Sequence, residues 1–113
     1  KLRSAIDNFE KALELDPENL LAYYNLGACY INLGDLYARE AASLRSVKKE
    51  EKAHEKEDLA RAEYRRAEEF LRRGLSIWPK ESRFNLLLAR LYKGMGKTEK
   101  AEDFFDRTGL KDE

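Results

Sequence analysis

Two prolines far apart in the chain close stretches that share one spacing of small and bulky residues. The stretch AIDNFEKALELDP ends at Pro17, and AEEFLRRGLSIWP ends at Pro79. In each, a small residue precedes a bulky one by four positions, and a second small residue follows three positions later. The two sets are Ala5, Phe9 and Ala12, and Ala67, Leu71 and Gly74. Such steps keep side chains on one face of a helix, which a proline cannot extend. The pattern therefore predicts two copies of a helix with one packing face.

The residues that follow each proline also repeat. In YYNLGACY and NLLLARLY, a leucine, a small residue and a tyrosine occupy the same places: Leu26, Gly27 and Tyr30, and Leu88, Ala89 and Tyr92. The small–bulky–small spacing then returns a third time at Ala101, Phe105 and Thr108. Small residues let two helices approach closely while bulky ones fill the gaps beside them, so we expect antiparallel hairpins. Because one hairpin cannot bury both of its faces, the copies must stack.

These motifs resemble the tetratricopeptide repeat (TPR) family, whose pattern is W-x2-L-G-x2-Y, then A-x3-F, then P. Tyr23 takes the place of the Trp in one copy, and Asn85 takes it in the other. The resemblance implies an all-α fold in which antiparallel hairpins stack as a short right-handed solenoid. A single domain, 1–113, would contain the second helix of a partial repeat (1–16), a middle repeat (18–78) and a last repeat (80–109). Since the first segment lacks a partner helix, we expect the chain to be part of a larger protein or assembly.

The middle repeat is too long for its family. Pro17 and Pro79 are 62 residues apart, whereas the repeat has 34 residues, so about 28 are extra. Apolar residues continue at helical spacing from Tyr23 to Val47 and again from Ala53 to Trp78. We therefore expect both helices of this hairpin to be extended by an insertion at about 36–63.

Two other forms of the insertion are compatible with its composition. One is a solvated charged loop. The other is a single unbroken helix from about residue 36 to 76, whose halves would pair with another molecule in a domain-swapped dimer. The absence of Gly, Pro and Asn at the expected turn near Lys48 keeps the second form open.

Composition narrows the range of functions. Lys plus Arg and Asp plus Glu each number 22, and this balance argues against a nucleic-acid partner. No apolar run approaches the ~18 residues that favour a membrane span, so we expect no membrane insertion. With one Cys and one His, we expect no cofactor, no metal site and no enzymatic activity. With one Cys no intrachain disulfide can form, which is compatible with a reducing compartment. The sequence leaves the location unknown, with the cytoplasm favoured.

The resemblance to the TPR family also implies a binding site. In that family the first helices of successive repeats line a concave groove that holds an extended peptide or a helix of a partner. Carried over to this chain, the groove residues are Tyr24, Asn25, Asn32, Arg83, Leu87, Arg90 and Lys93, with Leu21, Ala28, Ile31 and Leu86 beside them. Three cations on one wall predict a protein or peptide ligand that is acidic or carries a free carboxylate, and asparagine amides can bond its backbone.

Two further interpretations stay open at this point. The groove residues fit ordinary solvated surface positions equally well. The chain also fits a structural element that forms a homo-oligomer through the extended hairpin or through an exposed repeat end.

Overall fold

The computed structural model describes residues 1–110, so the last three residues of the expected domain lie outside the described part. Within those residues the chain is all-α and contains no strand, which confirms the expected fold class. The five helices are α1 (Leu2–Leu15), α2 (Leu20–Ser46), α3 (Glu50–Ile77), α4 (Ser82–Gly94) and α5 (Thr98–Arg107).

The short breaks between helices follow from local chemistry. α1 and α3 end just before Pro17 and Pro79, which cannot continue a helix. Asn19 then caps α2, because its side-chain oxygen accepts a hydrogen bond from the Ala22 amide at 3.0 Å. After α4, Gly96 adopts a φ of +79°, a left-handed conformation that glycine takes without steric cost.

The middle hairpin has the extended arms that the apolar stripes predict. α2 has 27 residues and α3 has 28, and they pack against each other along their length. α2 continues through Gly34 and Asp35 without a break. Both alternative forms of the insertion are therefore absent from this structure, which has two helices paired within one chain.

The turn at the tip of the hairpin is made by residues 47–49. Lys48 has a φ of 63°, the left-handed conformation that the turn requires, although its side chain disfavours it. The Lys49 amide then donates a hydrogen bond to the Leu44 carbonyl at 2.9 Å. A turn therefore forms here without the glycine or asparagine that would have marked it in the sequence.

Ion pairs hold the outer parts of the two arms together. Arg45 of α2 donates to Glu57 of α3 at 2.6 Å, and Lys56 of α3 contacts Glu40 of α2 at 2.9 Å. The packed face between them uses small buried residues, including Ala41 and Ala53. The arms can thus approach closely, but each contact there buries little apolar area.

Glycines mark the closest approaches between helices away from the tip of the middle hairpin. A Cβ atom added at Gly27 would lie 2.3 Å from Leu71 Cδ2, and one added at Gly34 would lie 2.5 Å from the Tyr64 ring. A Cβ at Gly74 would lie 2.3 Å from the ring of Phe84, in α4. Large side chains fill the space that each glycine leaves, as the small–bulky pattern predicts.

A continuous hydrophobic core joins the helices into one stack. Trp78 at the end of α3 stacks on Phe84 of α4 with ring centroids 6.1 Å apart, and Tyr23 meets Trp78 edge-on at 6.0 Å. On the other side, α1 contributes the buried Ile6. These contacts place α4 beside both helices of the middle hairpin.

Candidate functional site

The groove predicted from the sequence would be formed by α2 and α4, the first helices of two successive hairpins. The two helices are in contact in the structure. At one end of the contact, Tyr24 of α2 meets Phe84 of α4 with ring centroids 6.4 Å apart. At the other end, Arg90 of α4 donates a hydrogen bond to the Asn32 side-chain oxygen at 2.7 Å. Four residues of the predicted set, Tyr24, Asn32, Arg83 and Arg90, therefore bridge these helices.

Arg83 is held at the start of α4. Its guanidinium lies over the Tyr24 ring, 5.7 Å from the centroid, and donates to Glu81 at 2.8 and 3.2 Å. These hydrogen bonds lower the pKa of the Glu81 carboxyl below its usual value, so the pair remains ionised at neutral pH. Arg83 thus presents a cation that already has a carboxylate neighbour.

Arg90 is held in the same way farther along α4. Besides Asn32, it contacts Asp35 at 3.4 Å. The other oxygen of Asp35 accepts a 2.6 Å hydrogen bond from the Tyr64 hydroxyl. Burial, and then this bond to Asp35, raise the pKa of Tyr64 well above its usual value. Asp35 therefore links the groove to the core of the middle hairpin.

The net positive charge of the groove is smaller than the sequence indicates, because two of its three predicted cations have a carboxylate neighbour. Asp35 offsets Arg90 and Glu81 offsets Arg83, while Lys93 is exposed on α4 and makes no ion pair within residues 1–110. Neither carboxylate is among the groove residues predicted from the sequence. Asp35 lies three residues after Asn32 in α2, so the two side chains share a helix face. This spacing is the feature of the sequence from which the place of Asp35 beside the groove could have been predicted.

The remaining predicted residues differ in exposure. Asn25 is half-buried, so part of its side chain faces solvent. Leu87 is only 7% exposed and belongs to the hydrophobic core. It packs below the surface, as Ile31 does, because α4 rests against the middle hairpin, and its place as a ligand contact stays a prediction.

Two apolar side chains of the groove are accessible instead. Leu21 on α2 is 56% exposed, and Leu86 on α4 is 41% exposed. Leu21 lies on the face of α2 that carries Tyr24 and Asn25. Leu86 lies on the face of α4 that carries Arg83 and Arg90. The site is thus a shallow surface of mixed character, with two apolar residues, an amide and paired charges.

Side chains of the kinds that bind metal ions are spread apart in the described residues. No cluster of three or more His, Cys, Asp or Glu residues there could hold a metal ion. Burial raises the pKa of the Cys29 thiol, which disfavours the nucleophilic thiolate. His54 is an exposed residue near the tip of the hairpin, beside Glu57.

Comparisons with known protein families agree with this arrangement. Two family models described as tetratricopeptide repeat match the sequence, one over residues 8–55 and the other over residues 58–113. A search of curated proteins found no match. Within residues 1–110, no helix combines the length and the apolar character that crossing a membrane requires. The matched ranges cover nearly all of the sequence, and the chain belongs to the tetratricopeptide repeat family.

Proposed function

We propose that this chain is a protein-interaction module that holds a peptide or a helix of a partner protein in the groove between α2 and α4. Tetratricopeptide repeats generally act in protein–protein interaction, and the family is one of non-catalytic scaffolds. The proposal adds the place of binding and the character of the ligand.

The observation that carries the proposal is the exposure of two leucines in a groove whose polar groups are already ordered. Leu21 and Leu86 stand more than a third exposed on adjacent first helices. Covering exposed apolar area contributes about 25 cal/mol per Å², so these leucines favour a ligand with apolar side chains. The contacts of Arg83 with Tyr24 and of Arg90 with Asn32 fix the surrounding side chains, which lowers the entropic cost of binding.

Charge gives the proposed ligand a second feature. The arginines of the two pairs are about half exposed, at 47% for Arg83 and 49% for Arg90, so a ligand carboxylate can approach them beside Glu81 and Asp35. Lys93 adds one more cation to the same helix face. We therefore propose a ligand with apolar side chains and at least one carboxylate, and Asn25 as a bond to its backbone.

A capture experiment with matched variants tests the groove. The pair Leu21→Ser and Leu86→Ser removes the exposed apolar area of the groove, and the pair Ile77→Ser and Leu110→Ser removes exposed apolar area elsewhere. We expect the first pair to lose a partner that the wild type and the second pair retain. Equal capture by both pairs, with unchanged helicity, would place the partner outside the groove.

A second candidate function is self-association through the arms of the middle hairpin. Three apolar side chains there are exposed: Leu36, Val47 and Leu59. The arms already pair within one chain, so a dimer would form by surface contact without exchange of helices. Sedimentation over a range of concentrations distinguishes the two candidates, since a monomer throughout argues against self-association and a tight dimer argues for it.

A further inference from the structure

A cleft lies in the corner between the extended arms and the turn that joins α4 to α5. Its volume is about 470 Å³, and its walls come from α2, α3 and residues 94–97. The cleft exists because α2 and α3 continue past the point where α4 ends, so the arms form a wall beside that turn. None of its lining residues belongs to the groove between α2 and α4.

The floor of this arm cleft is apolar. Ala38 of α2 and Ala60 of α3 line it with small side chains, and Tyr64 and Gly94 line it too. Met95, from the turn after α4, adds a partly buried apolar side chain to the lining. Methionine is flexible and polarisable, and it adapts to the shape of an apolar partner. A volume near the lower end of the range for ligand pockets, about 300–1,000 Å³, accommodates one bulky apolar side chain.

The rim of the arm cleft is mainly cationic. Arg61, Arg65 and Lys97 line it. Arg61 pairs with the exposed Asp58, whereas Arg65 makes no ion pair within residues 1–110. One acid, Glu57, also lines the cleft.

Contacts within the chain already occupy the acids near this rim. Glu57 accepts a 2.6 Å bond from Arg45, and this bond lowers the pKa of its carboxyl. Glu68, whose charge faces Lys97, accepts hydrogen bonds from Tyr92 and Arg72. The cations of the rim are therefore only partly compensated, and the local potential favours an anion.

We propose that the arm cleft is a second binding site, which takes an acidic peptide segment with one bulky apolar side chain. The apolar side chain enters the floor between Ala38 and Met95. Flanking carboxylates meet Arg65, Lys97 and Arg61 at the rim. This site has no lining residue in common with the groove, and through it the insertion gives the repeat a contact surface that a hairpin of ordinary length lacks.

Titration of the isotopically labelled protein with a defined peptide tests the proposal by NMR. The probe is a short peptide with a central Leu-Phe pair flanked by Glu residues and blocked at both ends, so that it has no terminal carboxylate. The control is the same peptide with Lys in place of every Glu. We expect saturable shifts at Ala38, Arg65, Met95 and Lys97 with the acidic peptide only, and weaker binding as salt increases.

Charge reversal supplies the matched variants. The pair Arg65→Glu and Lys97→Glu should weaken binding by about tenfold or more, because like charges would then face each other. The pair Lys11→Glu and Lys52→Glu makes the same change in net charge away from the cleft and should bind as the wild type does. Thermal unfolding verifies that all four substitutions leave the fold intact.

Several outcomes would overturn the proposal. They are the absence of shifts at the cleft, equal binding of both peptides, and equal binding by the two variant pairs. Shifts confined to Tyr24, Asn25 and Leu86 would likewise reject the arm cleft while supporting the groove. Shifts confined to the residues of the arm cleft would support the proposal, and the capture experiment would then test the groove.

Discussion

Gly27→Ala is the smallest change that tests the packing of the middle hairpin. The added Cβ would lie 2.3 Å from Leu71 Cδ2 and 2.5 Å from Leu71 Cγ, well inside contact distance. Leu71 is fully buried, so its side chain has no open space to move into. One of the two helices must shift, or Leu71 must leave its preferred rotamer.

The magnitude follows from two opposing effects. Replacing glycine by alanine inside a helix ordinarily stabilises it by about 1 kcal/mol. Overpacking a dense core costs about 1–3 kcal/mol. The net change in the free energy of unfolding should therefore be a loss of about 0–2 kcal/mol, where helix propensity alone predicts a gain.

A double-mutant cycle in urea, followed by circular dichroism, isolates the contact. Leu71→Ala alone should lose about 2–5 kcal/mol through the cavity that it leaves. With both changes the new methyl group of residue 27 enters that cavity, so the total loss should fall short of the sum by about 0.5–3 kcal/mol. Gly94→Ala is the comparison, because the nearest atom to its added Cβ, the Tyr64 hydroxyl, is 3.3 Å away, a tight contact but a far less severe one than at residue 27. Stabilisation by Gly27→Ala, or strict additivity with Leu71→Ala, would refute the packing described here.

Three further changes test other parts of the molecule. Deletion of residues 36–63 should leave a folded, helical repeat of ordinary length that no longer binds the acidic peptide. An unfolded product would show that these residues are part of the core and do not merely extend the hairpin. Lys48→Gly should leave stability unchanged or raise it by up to about 1 kcal/mol in urea unfolding, because glycine adopts the left-handed conformation freely. Burial raises the pKa of Glu68, but the hydrogen bond from Tyr92 and the charge of Arg72 outweigh it and hold the pKa below its usual value. The stability that this shift contributes is present above the usual carboxyl pKa and is lost as the pH falls through the lower pKa of the folded state. Tyr92→Phe should therefore flatten the dependence of the free energy of unfolding on pH below about pH 5. An unchanged slope would contradict this role of Glu68.

The sequence was sufficient to predict the helices and their pairing. Pro17 and Pro79 mark two of the breaks, and the unbroken apolar stripe from Tyr23 to Val47 indicates that α2 continues through Gly34. The glycines at 27 and 74 indicate close helix contacts, since even an added Cβ atom there would crowd Leu71 or Phe84. These features are local, or they recur with a fixed spacing, and this makes them visible in one sequence.

The surface was harder to predict because it depends on residues distant along the chain. Arg90 meets Asp35 across 55 positions, so its partial neutralisation needed the packed structure. The burial of Leu87 also depends on how α4 rests on the middle hairpin. The arm cleft arises where the long arms pass the turn after Gly94, and no sequence motif marks that meeting. The left-handed Lys48 was invisible for the opposite reason, because its residue type gives no signal for a turn.

Site-specific photo-cross-linking tests the central claim, that the groove between α2 and α4 holds the partner. A photo-reactive amino acid is placed at Leu86, which is exposed in the groove, or at Ser76, which is exposed on α3. The partner obtained by capture is then mixed with each protein and irradiated. If the groove holds the partner, residue 86 should form a cross-link that is lost when Leu21 is changed to Ser, and residue 76 should form none. A cross-link from residue 76 with none from residue 86 would contradict the claim.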